Sequence, residues 1–128
     1  MAAFLSDEWC AAALDAASAL PERPGASLVV QHVVSGAPGG KVTVGVEVVD
    51  GRVVALAAGK RADAACTLTW SAADVRAVLA GTLDAEVAFM QGRLKVEGAY
   101  EQWLDGLGPW RRSAELAEVR RALASHTD

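Results

Sequence analysis

The chain has little with which to hold a metal or start a reaction. Among its 128 residues are only two histidines and two cysteines. His32 falls in a Val-rich stretch and His126 near the end, and neither has a carboxylate or cysteine at ligand spacing around it. No metal or other cofactor is expected, and His32 reads as a hydrogen-bonded sheet residue rather than a general base. Cys10 and Cys66 lie in different predicted elements with no basic neighbour to favour a thiolate, so both read as buried thiols in a reducing compartment. A long charge run of one sign is missing too. The net charge of −4 is spread along the chain without a basic stripe, which argues against nucleic acid as a partner. No apolar run reaches the ~20 residues of a membrane span. The start, Met-Ala-Ala-Phe-Leu-Ser-Asp-Glu, lacks the basic opening of a secretory leader, and the final Ser-His-Thr-Asp is not a peroxisomal address. The expectation is a cytoplasmic protein with no stable membrane insertion.

Catalytic motifs are equally scarce. No G-x-S-x-G elbow occurs. The run Gly36-Ala-Pro-Gly-Gly40-Lys41-Val42 approaches a phosphate loop, but it is one spacer short, contains Pro38, and places Val42 where a metal-binding hydroxyl is required. It reads as a turn between strands. Asp84 and Glu86 stand at a predicted helix start, where carboxylates suit the positive end of the dipole. Arg111, Arg112, Arg120 and Arg121 read as a solvated helix face. The chain is therefore expected not to be an enzyme.

What is present is apolar patterning. Apolar residues make up 52% of the chain, enough for one domain over residues 1–128 to bury a core without staples. Ser6 can cap a first helix carrying Trp9, Ala13, Ala17 and Leu20 at helical spacing, and Pro21 with Pro24-Gly25 stops it. A β-meander follows. Residues Leu28 to Val34 form one strand, and Val42, Val44, Val46 and Val48 alternate with Lys41, Thr43, Gly45 and Glu47 in the next. Asp50-Gly51 is a strong hairpin signal, because a type I′ turn needs positive φ twice. Val53 to Ala58 returns, and Ala65 to Trp70 gives a fourth strand with Cys66, Leu68 and Trp70 on one face.

The period then lengthens. Ser71 to Asp74 resembles a capping box, Val75, Val78 and Leu79 form an apolar stripe, and Gly81 suits the position just past the helix. A second helix is expected to present Leu83, Val87 and Met90 on one face and to end at Gly92. Leu94 and Val96 form one side of a last strand. Trp103, Leu104 and Leu107 mark the tail, and after Gly108-Pro109 a helix carries Leu116, Val119 and Leu123. The pattern predicts an α+β fold: one five-stranded mixed, mostly antiparallel sheet with helices packed on one face.

The stretch GKRADAACTLTWSAADVRAVLAGTLDAEVAFMQGRLKVEG, residues 59 to 98, resembles the sterol carrier protein type-two family, the non-specific lipid-transfer fold. Asp63 precedes the Thr67-Leu68-Thr69 strand, a capped helix ends at Gly81, Leu83-Asp84 follows, and the Ala-Phe-x-x-Gly-x-Leu-x-x-x-Gly pattern falls on Ala88, Phe89, Gly92, Leu94 and Gly98. The resemblance implies an apolar tunnel between sheet and helices and a carrier for a fatty acid, acyl thioester, sterol or phospholipid. The ligand-binding residues expected on that basis are Leu68, Trp70, Val75, Val78, Leu79, Leu83 and Val87, then Phe89, Met90, Leu94, Val96, Trp103 and Leu107. The segment from Trp103 to Trp110 is a candidate lid. Two features depart from the family. Asp7, Glu8 and Asp15 make the first helix acidic, which speaks against attraction to anionic membranes. The extension over residues 110–128 exceeds the core pattern, and its Leu116, Val119 and Leu123 stripe is expected to serve a homodimer or partner contact.

Two alternatives stand beside the carrier. One is an interaction module of the same fold with a filled core, partnering an enzyme of lipid or secondary metabolism. The other is a small cone-shaped isomerase, which needs a buried acid–base pair in an apolar pocket. With Tyr100 as the sole tyrosine and no carboxylate on an apolar strand face, the isomerase has the least support.

Overall fold

Polar caps set where the helices begin. In the computed structural model, which describes residues 2–127, the Ser6 hydroxyl accepts from the Trp9 amide (3.1 Å) to open α1 (Asp7–Ala17). Ser71 does the same for Asp74 at α2 (Ala72–Leu79), Asp84 for Glu86 at the short α3 (Ala85–Met90), and Ser113 for Leu116 at the C-terminal helix, Ala114–Ser125. Each cap satisfies an amide that the first helical turn leaves without a partner. Between the last strand and the C-terminal helix, Gln102–Gly106 forms a single π-helical turn, closed by the Leu107 amide on the Gln102 carbonyl (2.9 Å). A four-residue α4 (Gly108–Arg111) follows, with Pro109 in its first turn where no amide is needed. The C-terminal helix is therefore α5.

Five strands, β1 (Leu28–Ala37), β2 (Gly40–Val49), β3 (Arg52–Ala58), β4 (Cys66–Ser71) and β5 (Lys95–Gly98), make one mixed sheet in the order β3-β2-β1-β4-β5. β1 and β4 run parallel and the other neighbours antiparallel. This is the α+β architecture that the patterning predicts. The Asp50-Gly51 turn joins β2 to β3 with φ of 48° and 82°, positive at both central residues as a type I′ turn requires. That turn also ties the molecule together. Its carbonyls accept from the Arg23 amide and from Trp110 Nε1 (2.8 Å), which fastens both the segment after α1 and the tail to one hairpin.

The helices share one face of the sheet: α1 lies over β3, α2 over β1 and β4, and α5 between α1 and α2. On the outer face, the Arg61 side chain crosses Gly45 and pairs with Glu47 (3.0 Å) and Asp63 (2.7 Å). Asp63 is thus part of an ion-paired clamp on the sheet, on the side away from the helices.

The face expected of the second helix differs from the one observed. α3 buries Ala85 and Ala88, whereas Val87 is exposed and Met90 is 75% exposed. Leu83 precedes the helix, so the 83–87–90 spacing does not lie on one helical face. The alanines permit close packing instead, and the Arg93 and Leu94 amides both return to the Ala88 carbonyl as the chain reverses at Gly92 (φ 76°). The stripe Leu116, Val119 and Leu123 also differs from expectation. It faces the chain's own interior, because α5 closes over the sheet.

Candidate functional site

Alternation along the strands leaves an apolar floor. Val30, His32 and Val34 of β1, Val44, Val46 and Val48 of β2, and Leu68 and Trp70 of β4 all point to the helix side, in register with one another. On β3 the parity shifts: a bulge after Glu47 pairs Val48 with Val53 but Val46 with Leu56, so Val53 and Leu56 both face inward and Val54 is left exposed. Trp9, Ala13 and Ala17 of α1, Val75, Val78 and Leu79 of α2, and the α5 stripe supply the roof. Trp103, Leu107 and Trp110 close one side. Between floor and roof lies a cavity of about 210 Å³. An apolar cavity of ~150 Å³ already stays dry and accepts a small hydrocarbon. Typical small-molecule pockets run from ~300 Å³ upward. The space therefore suits an apolar group, and a larger one needs the roof to shift.

One polar ring faces this space. His32 is enclosed by protein, and the area it retains borders the cavity. Trp70 Nε1 donates to His32 Nδ1 (3.3 Å) and the two rings stack at 5.9 Å, which leaves the proton on Nε2. Burial lowers the imidazole pKa to about 4, so the ring is neutral near pH 7. Cys10 and Cys66 are free, buried thiols, and burial pushes Cys10 up to about 11 and Cys66 upward as well, away from nucleophilic use. Among the described residues no group of histidines, cysteines and carboxylates could hold a metal ion.

Seven of the thirteen expected ligand residues line the cavity: Leu68, Trp70, Val75, Val78, Leu79, Trp103 and Leu107. The other six lie elsewhere. Leu94 is fully packed beside β5, and Val96, although opposite Leu68, belongs to the edge strand beyond the cavity. Phe89 meets the Trp103 ring edge-on at 6.0 Å and shares a separate surface groove with Met90, while Leu83 borders a second depression near α5. Val87 faces outward. The common reason is position: apart from Ala85, residues 83–96 lie outside the cavity lining, toward the β5 edge, whereas the cavity floor runs over β1 to β4. Its valines were visible in the sequence as a period-two run, and its α5 wall as an apolar stripe.

Of the four tail arginines, Arg112 and Arg121 are exposed as a solvated face requires, whereas Arg111 and Arg120 are not. Arg111 is 7% exposed and spans the ring of Trp103 at 4.0 Å. It donates to the Trp103 and Leu104 carbonyls (both 3.1 Å) and pairs with Glu86 (2.9 Å), which Arg112 shares. This pins the π-helical turn and α4 to α3. Arg120 is half-buried and donates to the Arg111 carbonyl (3.1 Å).

An apolar chamber between a five-stranded mixed sheet and one layer of helices now has its counterparts. The SCP-2 sterol transfer family matches residues 6–103. The chain belongs to this family. Membership makes it a lipid- or sterol-binding or transfer protein in the broad sense. A crystal structure of sterol carrier protein 2 superposes with a TM-score of 0.69 at 18% identity, covering 94% of this chain and 97% of that one. A solution structure of a conserved hypothetical protein from Thermus thermophilus gives 0.65 at 21%, covering 94% and 90%. The same fold also occurs inside an enzyme: a stereoselective inverting sec-alkylsulfatase from Pseudomonas sp. matches with a TM-score of 0.53 at 19%, over 77% of this chain but 13% of that one. No curated protein sequence matches. At these identities the solved structures establish the fold alone. Among the described residues, no helix is long and apolar enough to cross a membrane.

Proposed function

We propose that the chain is a non-catalytic carrier that encloses the apolar part of a lipid between its sheet and helices. The observation that carries this reading is the cavity itself, about 210 Å³ and walled almost wholly by aliphatic and aromatic side chains. A filled-core interaction module would have no reason to keep such a space, since voids in a packed interior are destabilising. Hydrophobic burial would supply the affinity at roughly 25 cal/mol per Å² of apolar surface hidden, less the ordering of ligand and roof. The neutral His32 ring, held by Trp70, adds one polar contact without a charge. The residues proposed to touch the ligand are the seven expected ones that line the cavity, together with Val44, Val46, Val119 and Leu123.

Native mass spectrometry of the purified chain, paired with denaturing lipid extraction, tests this directly. A co-purifying or added lipid that stays bound in the native spectrum, and is displaced in a Val46→Phe variant that fills the cavity, is the expected result. A clean apo mass that persists in the presence of fatty acids, sterols and lysophospholipids overturns the reading.

A further inference from the structure

The apolar cavity does not end in a uniformly greasy wall. Beside it lies a second depression of about 500 Å³, between the α2–α3 connection and α5, lined by Arg111, Arg112, Arg120 and Arg121 against a single carboxylate, Asp84. Val78, Leu79, Ala85, Arg111 and Arg120 border both spaces, so no more than one layer of side chains separates them. An apolar chamber thus adjoins a basic vestibule, and two arginines stand at the junction.

These arginines are not equivalent. Arg111 and Arg112 share Glu86, and Arg121 approaches Glu118 at 3.9 Å on the exposed side of α5. Arg120 has no carboxylate within 4 Å among the described residues, and its one hydrogen bond is from Nη1 to the Arg111 carbonyl. A guanidinium carries five donors. No buried donor is left orphaned among the described residues, so the remaining nitrogens of Arg120 keep some exposed surface, on a residue that borders both spaces. We propose that this junction is a head-group site: the chain selects single-chain amphiphiles whose tail enters the cavity and whose anionic end, a carboxylate or a phosphate monoester, is held by Arg120 with Arg121 and Arg112 flanking it. The inference rests on the carrier reading and adds to it the ligand's charge and orientation. The residues concerned lie beyond the 6–103 stretch that matches the family, on a helix this chain packs against its own cavity.

The physical argument has two parts. Arginine binds carboxylate and phosphate through a planar fork, and such charge-assisted hydrogen bonds are about twice as strong as neutral ones. Burial and, after it, the nearby Arg111 disfavour the charge on Arg120, and Asp84 compensates only in part, so an anion at the junction offsets a cost built into the fold. A neutral alcohol or sterol hydroxyl offers a weaker acceptor there and leaves that cost in place.

Isothermal titration at pH 8 with dodecanoate, dodecyl phosphate and dodecanol separates the possibilities, using the full chain and its Arg120→Gln and Arg120→Lys variants. In the wild type both anions should bind about tenfold or more tightly than dodecanol, the strength expected of one charge-assisted pair. Arg120→Gln should reduce that preference to about threefold or less, the loss falling on the anions far more than on dodecanol, and Arg120→Lys should restore part of it. Whichever anion binds tighter identifies the head group, and either order supports the site. Equal binding of dodecanol and dodecanoate by the wild type overturns this inference but leaves the carrier standing, as does an equal loss for all three ligands in Arg120→Gln. No binding of any of the three by the wild type overturns this inference, and the sterol and lysophospholipid arms of the native mass spectrometry then decide the carrier reading.

Discussion

The inner face of the sheet is divided in two. Over β1, β2 and β3 the valines border open space beneath α1 and α5, whereas beside β5 the interior is packed solid around Ala88 and Leu94, both essentially without exposed surface. The solid half contains the most specific sequence in the chain, from Ala88 to Gly98. The open half is built from alternating valines of a kind found in many meanders, and from a helix outside the family match. The contrast assigns different tasks to the two halves. The motif fixes the frame, with a tight helix-to-strand reversal at Gly92, and the plain half leaves room.

Truncation should tell the halves apart most strongly. Leu94 is 1% exposed and lines none of the three spaces described above, so Leu94→Ala should cost about 2–5 kcal/mol, read by urea unfolding. Val46→Ala at the cavity should cost less than ~1.5 kcal/mol, because the side chain already borders space. If the two variants lost stability equally, the division would be wrong.

The next effect uses the one titrating ring on the open half. His32 has its pKa lowered to about 4 by burial, against ~6.5 in the unfolded chain. Below pH 6.5 the unfolded state takes up a proton that the native state refuses, so stability falls as pH drops from 6.5 towards 4. Above 6.5 the ring is neutral in both states and contributes no slope. Between pH 7.5 and 5.5 the loss should be about 1.4 kcal/mol. Denaturant melts of wild type and His32→Gln across that range should show a slope in the first that is absent from the second. A parallel dependence in both would place the proton elsewhere.

Much of this frame could be read from the sequence, for definite reasons. Strand parity is a strict two-residue rule, so Val44, Val46 and Val48 on one strand, and Leu68 and Trp70 on another, each announced a common face, and Ser6 and Ser71 announced helix starts. Three things were hidden. The bulge opposite Glu47 shifts parity on β3 and brings Val53 and Leu56 to the same side, a device with no local marker. The six-residue α3 is too short for apolar spacing to select a face, and alanine packing chose one that leaves Met90 in solvent. The direction of the α5 stripe depends on where the chain returns after α4, which only the tertiary pins reveal: Trp110 on Gly51 and Arg111 on Trp103 and Glu86. Arg111 itself looked like one of four solvated arginines. Its neighbour Trp103, eight residues earlier, gave no local hint that the two would meet.

Filling the open half should change binding more than stability. Phenylalanine suits a strand interior, and at Val46 its ring would enter the cavity instead of a packed wall. Val46→Phe should therefore stay within ~1 kcal/mol of wild type, less than the ~1–3 kcal/mol usual for overpacking a solid core, and should lose the lipid. A variant destabilised by the full overpacking cost would mean that the space closes in solution.

The smallest effect should come from a variable position within the motif stretch. Met90 is large and flexible, follows Phe89 and sits just before the Gly92 reversal, all of which suit an adaptable pocket wall. Its side chain is nevertheless three-quarters exposed, in a surface groove with Phe89, Leu104 and Pro109 that shares no lining residue with the cavity. A residue so placed contributes neither core burial nor cavity wall. Met90→Ala should leave stability within ~0.5 kcal/mol, as for an ordinary surface change, and should leave lipid affinity unaltered in the titrations that Val46→Phe abolishes. A marked loss of affinity in Met90→Ala, with stability intact, would mean that the groove beside Trp103 joins the cavity when ligand enters, and that the solid half opens as well.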